Sequence, residues 1–205
     1  ETLTDGLVAY YPFNGNAYDE SGNGNHAITN TAELTTDRYG DLSAYHFNES
    51  EIEIGTQFFD NSWSNYTISI WFLIDDTSKT SQTIFNTTPH NIEALGFDHA
   101  GLSKEFAHWK NDDSSESSWN VFANNLFYGE QPQVVEENAW YFVTIVRDGF
   151  HFYYYVNGTL EKTVTTDLQY NYIGQGAIIF GETGYNEFLY GKIDDCGIWN
   201  RSLLE

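Results

Sequence analysis

The chain has 205 residues, 40% of them hydrophobic and 18% aromatic, which is enough to build the core of one large domain. Thirty acidic residues against eight basic ones give a net charge of −22, which argues against nucleic acids, anionic membrane surfaces and polyanions as partners, unless a bound cation intervenes. Cys196 is the single cysteine and no run of 18 apolar residues occurs, so neither an internal disulfide nor a membrane-spanning helix is expected.

Alternation of apolar and polar residues predicts β-strands along nearly the whole chain. In chain order, the predicted strands cover residues 6–13, 44–47, 51–54, 66–74, 82–85, 94–97, 106–110, 140–147, 150–156, 160–165, 177–180 and 191–199. The segment 66–74 has the strongest pattern, because β-branched and aromatic residues fill it. No ten-residue stretch carries a repeat of 3.6 residues, so few or no helices are expected.

Turn residues separate these strands. The sequence Arg147-Asp148-Gly149 predicts a tight hairpin, and Asn157-Gly158 predicts a type I′ turn. The polar stretch 111–118 is predicted to be a long exposed loop. Many short strands joined by regular turns predict an all-β fold, an antiparallel β-sandwich of the jelly-roll type with two packed sheets. Neither an internal repeat nor a linker is visible, so residues 1–205 are expected to form a single domain.

The segment 18–27, written YDESGNGNHA, stacks residues that favour turns. Asp19 is followed there by closely spaced backbone carbonyls and Asn amides, which are the oxygen ligands that calcium prefers. A calcium site would need a second carboxylate from elsewhere in the chain. The alternative is a surface loop without an ion.

Several short sequence segments, taken in chain order, resemble those of the laminin-G-like branch of the concanavalin-A-like jelly rolls. They are residues 6–15 (GLVAYYPFNG), 19–26 (DESGNGNH), 45–48 (YHFN), 52–55 (IEIG), 67–71 (TISIW), 140–146 (WYFVTIV), 155–158 (YVNG), 191–195 (GKIDD) and 198–203 (IWNRSL). The resemblance spans the whole chain. It implies that the first and last strands are neighbours, and that Trp71, Trp140 and Trp199 belong to the core.

The same resemblance implies a structural calcium ion between the first loop and the last strand. Its ligands would be Asp19, Asn23, Asn25, Asp194 and Asp195. Adjacent residues of a strand face opposite sides, so only one of Asp194 and Asp195 is expected to point at the ion.

The segment Glu49-Ser-Glu-Ile-Glu53 carries three carboxylates that could serve in catalysis. Glu49, Glu51 and Glu53 have a spacing similar to that of the laminarinase and lichenase glycoside hydrolases, in which carboxylates share one face of a strand. The middle residue is Glu rather than Asp, and the segment also matches an ordinary laminin-G-like phrase with solvated Glu residues. The sequence motifs of jelly-roll alginate lyases are absent. The six His residues lack the spacing of metal ligands. No catalytic residue is therefore predicted.

Aromatic residues in polar contexts indicate sugar binding, because the apolar faces of sugar rings stack on Trp and Tyr. The predicted ligand-binding residues are Trp109, Trp119, Tyr128, Tyr170, Tyr172 and Tyr185. The first three lie within or beside the region 106–128, which is longer than the family pattern requires.

The leading hypothesis is a non-catalytic carbohydrate-binding module with a structural calcium ion, which binds a polysaccharide or oligosaccharide. The domain is expected to come from a larger secreted or surface protein, extracellular and bacterial, whose other domains are further potential partners. Two alternatives stay open. One is an adhesion or spacer domain that contacts protein or no ligand, and the other is a glycoside hydrolase that uses the Glu trio.

Overall fold

The computed structural model describes residues 2–55, 58–60, 63–79, 82–88, 93–98, 105–111, 119–123, 135–165, 175–182 and 187–204. These residues form strands and no helix. The strands are β1 (Leu7–Tyr11), β2 (Ala27–Asn30), β3 (Glu33–Thr36), β4 (Leu42–Asn48), β5 (Ile52–Ile54), β6 (Phe59–Asp60), β7 (Asn65–Ile74), β8 (Gln82–Thr88), β9 (Glu93–Asp98), β10 (Glu105–Asn111), β11 (Trp119–Ala123), β12 (Trp140–Asp148), β13 (His151–Val156), β14 (Thr159–Thr165), β15 (Gln175–Phe180) and β16 (Tyr190–Trp199).

The strands form two antiparallel sheets. The first has the order β14-β13-β12-β7-β16-β4-β3, and β1 also pairs with β16. The second has the order β11-β10-β9-β8-β15-β5-β2, with β6 paired to β15. This arrangement confirms the predicted antiparallel sandwich. No part of the described chain forms a helix with the length and apolarity to cross a bilayer.

The core lies between the two sheets and combines aromatic rings with isoleucine and valine side chains. Tyr11, Phe13 and Phe180 are fully buried, and the Phe13 ring packs edge-on against Tyr45 and Phe180, with centroid distances of 5.4 and 5.9 Å. Edge-to-face pairs of this kind add to the free energy gained from burying the rings. The aromatic content of the sequence is thus partly explained by the core.

Two of the three tryptophans assigned to the core lie elsewhere. Trp71 is half-buried between the core residues Ile70 and Phe72, so it faces away from the core, and Trp140 is half-buried as well. The assignment of Trp71 and Trp140 to the core was wrong, because both faces of these strands carry apolar residues. Trp199 is buried as expected, and its indole N–H donates to the Leu3 carbonyl at 2.7 Å.

The last strand, β16, organises the first sheet. It pairs with β7 along one side, whereas its other side pairs first with β4, through residues 190–193, and then with β1, through residues 196–199. The first and last strands are therefore neighbours, as the resemblance to the laminin-G-like domains implied. Asp194 and Asp195 lie where the partner changes, and the register with β7 shifts between Asp194 and Gly197. Asp195 has a φ of 41°, so this is a β-bulge.

The predicted hairpins are present at the other end of the first sheet. Asn157 and Gly158 join β13 to β14 with φ values of 50° and 81°, as a type I′ turn requires. Gly149, with φ 58°, lies in the turn between β12 and β13.

Candidate functional site

The loop between β3 and β4 is organised by the carboxylate of Asp37. Its Oδ1 accepts hydrogen bonds from the backbone N–H groups of Tyr39, Gly40 and Asp41 at 2.7, 2.7 and 2.9 Å, and its Oδ2 accepts one from the Ser43 hydroxyl at 2.8 Å. Burial acts to raise the pKa of Asp37, but these hydrogen bonds outweigh it and lower the pKa below its usual value. The loop is thereby fixed in one conformation.

Replacing Asp37 with Ala is expected to lower the free energy of unfolding by about 2 kcal/mol near neutral pH, because four donors lose a charged acceptor. The folded-state pKa is lowered, so this contribution is present above the ordinary value of 3.8 and is lost as the pH falls through the folded-state value. Guanidinium denaturation of both proteins from about pH 7 to about pH 2 checks this. A difference between the two proteins that is independent of pH would contradict it.

Arg38, held by this loop, contacts both aspartates of the bulge. Its Nη1 donates to Asp194 Oδ2 in a short contact, and its Nη2 donates to Asp195 Oδ2 at 2.5 Å. The other two carboxylate oxygens also accept hydrogen bonds. Asp194 Oδ1 accepts one from the backbone N–H of Asp195, and Asp195 Oδ1 accepts one from the Tyr10 hydroxyl. One charged cluster therefore joins the β3–β4 loop to β16 and β1.

The electrostatics of this cluster depend on burial. The Asp194 side chain is only 3% exposed. Burial, and then the neighbouring carboxylate of Asp195, raise the pKa of Asp194 to about 7, while the Arg38 guanidinium acts in the opposite direction. Burial and the hydrogen bond to Asp195 raise the pKa of Tyr10, so its hydroxyl stays protonated and donates.

The Arg38 guanidinium also lies between two aromatic rings. Its central carbon is 4.7 Å from the Tyr39 ring centroid and 4.6 Å from that of Trp71, and Trp71 stacks on Phe142 at 5.0 Å. We call these four residues the stacked column. Cation–π contacts at such distances are favourable and fix the plane of the guanidinium.

An open cavity of about 530 Å³ lies beside the stacked column. Its lining includes Asn14, Arg38, Tyr39, Asp41, Leu42 and Asp195. Tyr39 is 77% exposed and Leu42 is 63% exposed, so the cavity has an aromatic and aliphatic rim above polar walls. The volume lies within the roughly 300–1,000 Å³ typical of small-ligand sites.

The first three predicted calcium ligands hold the loop after β1 together. The carboxylate of Asp19 accepts four hydrogen bonds, from the N–H groups of Tyr10, Ser21 and Asn25 and from the Ser21 hydroxyl. The side-chain amides of Asn23 and Asn25 both donate to the carbonyl of Val8 at 2.9 Å. These residues thus tie their own loop to β1.

This arrangement does not fit one calcium ion shared by the five predicted residues. A carboxylate has about four lone-pair positions, and all those of Asp19 are used by donors. Asp194 and Asp195 point at Arg38 instead. Among the described residues, no three His, Cys, Asp or Glu side chains are grouped so as to hold a metal ion. Calcium binding by the protein stays a prediction.

The predicted sugar-binding aromatics are described in part. Trp109 pairs with Val121 and Trp119 pairs with Asn111 in the β10–β11 hairpin at the end of the second sheet. The backbone pairing thus brings the strands that carry the two tryptophans next to each other. Tyr128, Tyr170, Tyr172 and Tyr185 lie outside the described residues.

The Glu trio does not occupy one strand. Only Glu53 belongs to β5, whereas Glu49 lies in the turn after β4 with φ 52° and accepts a hydrogen bond from the Tyr190 hydroxyl at 3.0 Å. The shared strand face that the glycoside-hydrolase alternative requires of Glu49, Glu51 and Glu53 is not present, because the turn at Glu49 precedes the strand. Burial, and then Glu182 and Glu53, raise the pKa of Glu51.

The sequence interpretation missed the residues that build the cavity, above all Arg38 and Tyr39. The run Asp37-Arg-Tyr-Gly-Asp41 carries a turn signal, since Asp and Gly favour turns. That signal indicates a loop, but nothing in it indicates that Arg38 reaches residues 194 and 195.

A family model described as the concanavalin A-like lectin/glucanases superfamily matches residues 47–205. Among solved structures, the chain is similar to domain 4 of AbnA, an extracellular GH43 arabinanase from Geobacillus stearothermophilus in complex with arabinotriose. The TM-score is 0.72 at 19% identity, covering 97% of this chain and 94% of that one. No curated protein sequence matches the chain.

Bacterial toxin binding domains are also similar in structure. The binding domain of Paraclostridial Mosquitocidal Protein 1 has a TM-score of 0.76 at 18% identity, covering 99% of this chain and 51% of that one. The binding domain of botulinum neurotoxin DC, in complex with rat synaptotagmin II, has a TM-score of 0.70 at 15% identity, covering 99% and 50%. The chain thus spans about half of each toxin domain. At these identities the likeness shows the fold alone.

Proposed function

Because the chain belongs to the concanavalin A-like lectin/glucanases superfamily, we propose that it is a non-catalytic carbohydrate-binding module. The observation that carries the proposal is the open cavity rimmed by Tyr39 beside the Arg38–Asp194–Asp195 cluster. The superfamily includes both binding modules and enzymes, so the argument rests on this site rather than on the fold.

The cavity has the chemistry that a sugar requires. Tyr39 presents an exposed ring on which the apolar face of a sugar can stack, while Asn14 and Asp41 supply polar groups for its hydroxyls. A polar wall with a single aromatic platform suits a polyhydroxylated ligand better than an apolar one.

Charge narrows the class of sugar. Asp37, Asp41, Asp194 and Asp195 line the cavity with Arg38 as the one basic residue among its lining residues, and the whole chain carries −22. An anionic polysaccharide would be repelled by this field, so the ligand is a neutral oligosaccharide or the end of a neutral polysaccharide. Trp109 and Trp119, in the paired strands β10 and β11, stay candidates from the sequence for a second contact with the same ligand class.

The separation of the Glu trio supports a role without catalysis, since the spacing that suggested a glycanase is not reproduced on one strand. A structural neighbour that is a domain of an extracellular arabinanase, solved with arabinotriose, supports a sugar ligand and an extracellular location. On this proposal the chain works within a larger secreted or surface protein, whose other domains supply any catalytic activity.

The test is a glycan-array screen followed by affinity electrophoresis on the polysaccharides that bind. Tyr39→Ala should weaken binding about tenfold, because one stacking platform contributes about 1–1.5 kcal/mol. Phe150→Ala is the matched control, since Phe150 is a half-exposed aromatic residue in the distant β12–β13 turn. It should leave binding unchanged.

The other outcomes separate the alternatives. If Trp109→Ala or Trp119→Ala abolishes binding and Tyr39→Ala does not, the binding site lies at the β10–β11 hairpin rather than at the cavity. A wild-type protein that binds no neutral glycan would reject the proposal and favour an adhesion or spacer domain. Hydrolysis of a bound glycan would reject the non-catalytic role.

A further inference from the structure

The bulge in β16 creates an electrostatic problem. Asp194 and Asp195 are adjacent, and the side chain of Asp194 is nearly inaccessible to water. Two neighbouring carboxylates at a buried position do not both stay ionised unless a cation lies close to them. In proteins that cation is either a metal ion or a basic side chain.

Here the position between the two carboxylates is filled by a guanidinium. One terminal nitrogen of Arg38 binds Asp194 and the other binds Asp195, so the planar fork of the side chain is shared between two residues. The bulge makes this sharing feasible. In a regular strand the two side chains would face opposite sides, but the φ of 41° at Asp195 turns both carboxylates towards Arg38.

The guanidinium is held in place independently of these carboxylates. The Asp37 hydrogen bonds fix the loop that carries it, and the rings of Tyr39 and Trp71 enclose it from two sides. Arg keeps its proton at any accessible pH. A divalent cation could take the position between the two carboxylates only by displacing the guanidinium.

We propose that Arg38 is the permanent counter-cation of Asp194 and Asp195, in place of a metal ion, and that it latches the β3–β4 loop to β16 and β1 without calcium. The proposal does not depend on the carbohydrate-binding function. On this proposal neither Asp194 nor Asp195 is a calcium ligand, and calcium binding elsewhere in the protein stays a separate prediction.

The first arm of the test measures the melting temperature of the wild type and of Asp194→Asn by scanning calorimetry, each in calcium chloride and in EDTA. If Arg38 replaces the metal, calcium changes the melting temperature of the wild type and of Asp194→Asn by the same amount. That amount can be zero. A calcium-dependent rise in the wild type that Asp194→Asn removes would overturn the proposal.

The second arm removes the cation. Arg38→Met should lower the melting temperature in EDTA by roughly 6–15 °C, because the buried carboxylate of Asp194 and the half-buried one of Asp195 lose their cation. Lys192→Met is the matched control. It removes one positive charge from β16, the strand that carries Asp194 and Asp195. Lys192 Nζ donates to the Thr36 carbonyl, and the variant should change the melting temperature by no more than about 2 °C. Equal melting temperatures for the two variants would overturn the proposal, and an Arg38→Met protein that fails to fold leaves the first arm decisive.

Discussion

Replacing Asp19 with Ala is expected to lower the free energy of unfolding by about 3–4 kcal/mol, with or without calcium. The side chain is 5% exposed and accepts four hydrogen bonds. Its removal leaves the N–H groups of Tyr10, Ser21 and Asn25 without their acceptor in a place that water scarcely reaches. Each such unsatisfied donor costs about 1–3 kcal/mol, and partial relaxation of the loop reduces the sum.

Guanidinium denaturation in calcium chloride and in EDTA measures this effect. Asp37→Ala is the control, since Asp37 also organises a loop through four hydrogen bonds but is more exposed than Asp19. Asp37→Ala should therefore lower the free energy of unfolding by less than Asp19→Ala does. If Asp19→Ala destabilised the protein in calcium and not in EDTA, Asp19 would be a calcium ligand and the hydrogen-bonded arrangement would not be its main role.

The fold could be predicted from the sequence because its strongest signals are local. The β-branched and aromatic residues of β7 favour a strand, and Asn157-Gly158 is the residue pair preferred where a type I′ turn needs positive φ at both positions. The short strands β2, β3, β6 and β11 were missed. A segment such as Glu33–Thr36 has four residues and a single large apolar side chain, so its strand conformation comes from pairing with β4 rather than from its own pattern.

Which face of a strand is buried was harder to predict. Nearly every residue of Asn65–Ile74 is apolar or β-branched, so its pattern fits either face turned towards the core. The structure places Phe72 inside and Trp71 outside, where it joins the stacked column. The sequence pattern alone does not determine that Trp71 lies on the outer face of β7.

The candidate site lay beyond sequence reasoning for a different reason. It depends on a contact between residues 38 and 194, which are 156 positions apart, and on a bulge that reverses the expected direction of Asp195. The Asp194-Asp195 pair was recognised as charged and functional, but its partner was assigned to the loop at Asp19. Both loops lie near β1, and Tyr10 contacts Asp19 through its N–H and Asp195 through its hydroxyl. The structure therefore places both predicted segments beside β1, and the charged partner that it shows for Asp194 and Asp195 is Arg38.

Replacing Gly191 with Ala is expected to destabilise the fold by about 3 kcal/mol or more, because a backbone overlap cannot be relieved by moving a side chain. Gly191 lies in β16 between Phe47 of β4 and Ile74 of β7. A Cβ atom there would overlap the carbonyl oxygen of Leu73 and lie 3.1 Å from its carbonyl carbon. Since β7 is held on its other side by β12, the sheet has to separate locally, three residues before Asp194.

Gly158→Ala is the matched control, because it introduces the same methyl group where nothing lies within 4 Å. Its φ of 81° makes Ala unfavourable there by about 1–2 kcal/mol for purely conformational reasons. Denaturation of the two variants thus separates steric overlap from backbone strain. Gly191→Ala should lower the free energy of unfolding more than Gly158→Ala does. It should also weaken glycan binding, because Asp194 and Asp195, which line the cavity, lie on the displaced strand. Equal losses would show that β16 and β7 are not packed as closely as the structure describes.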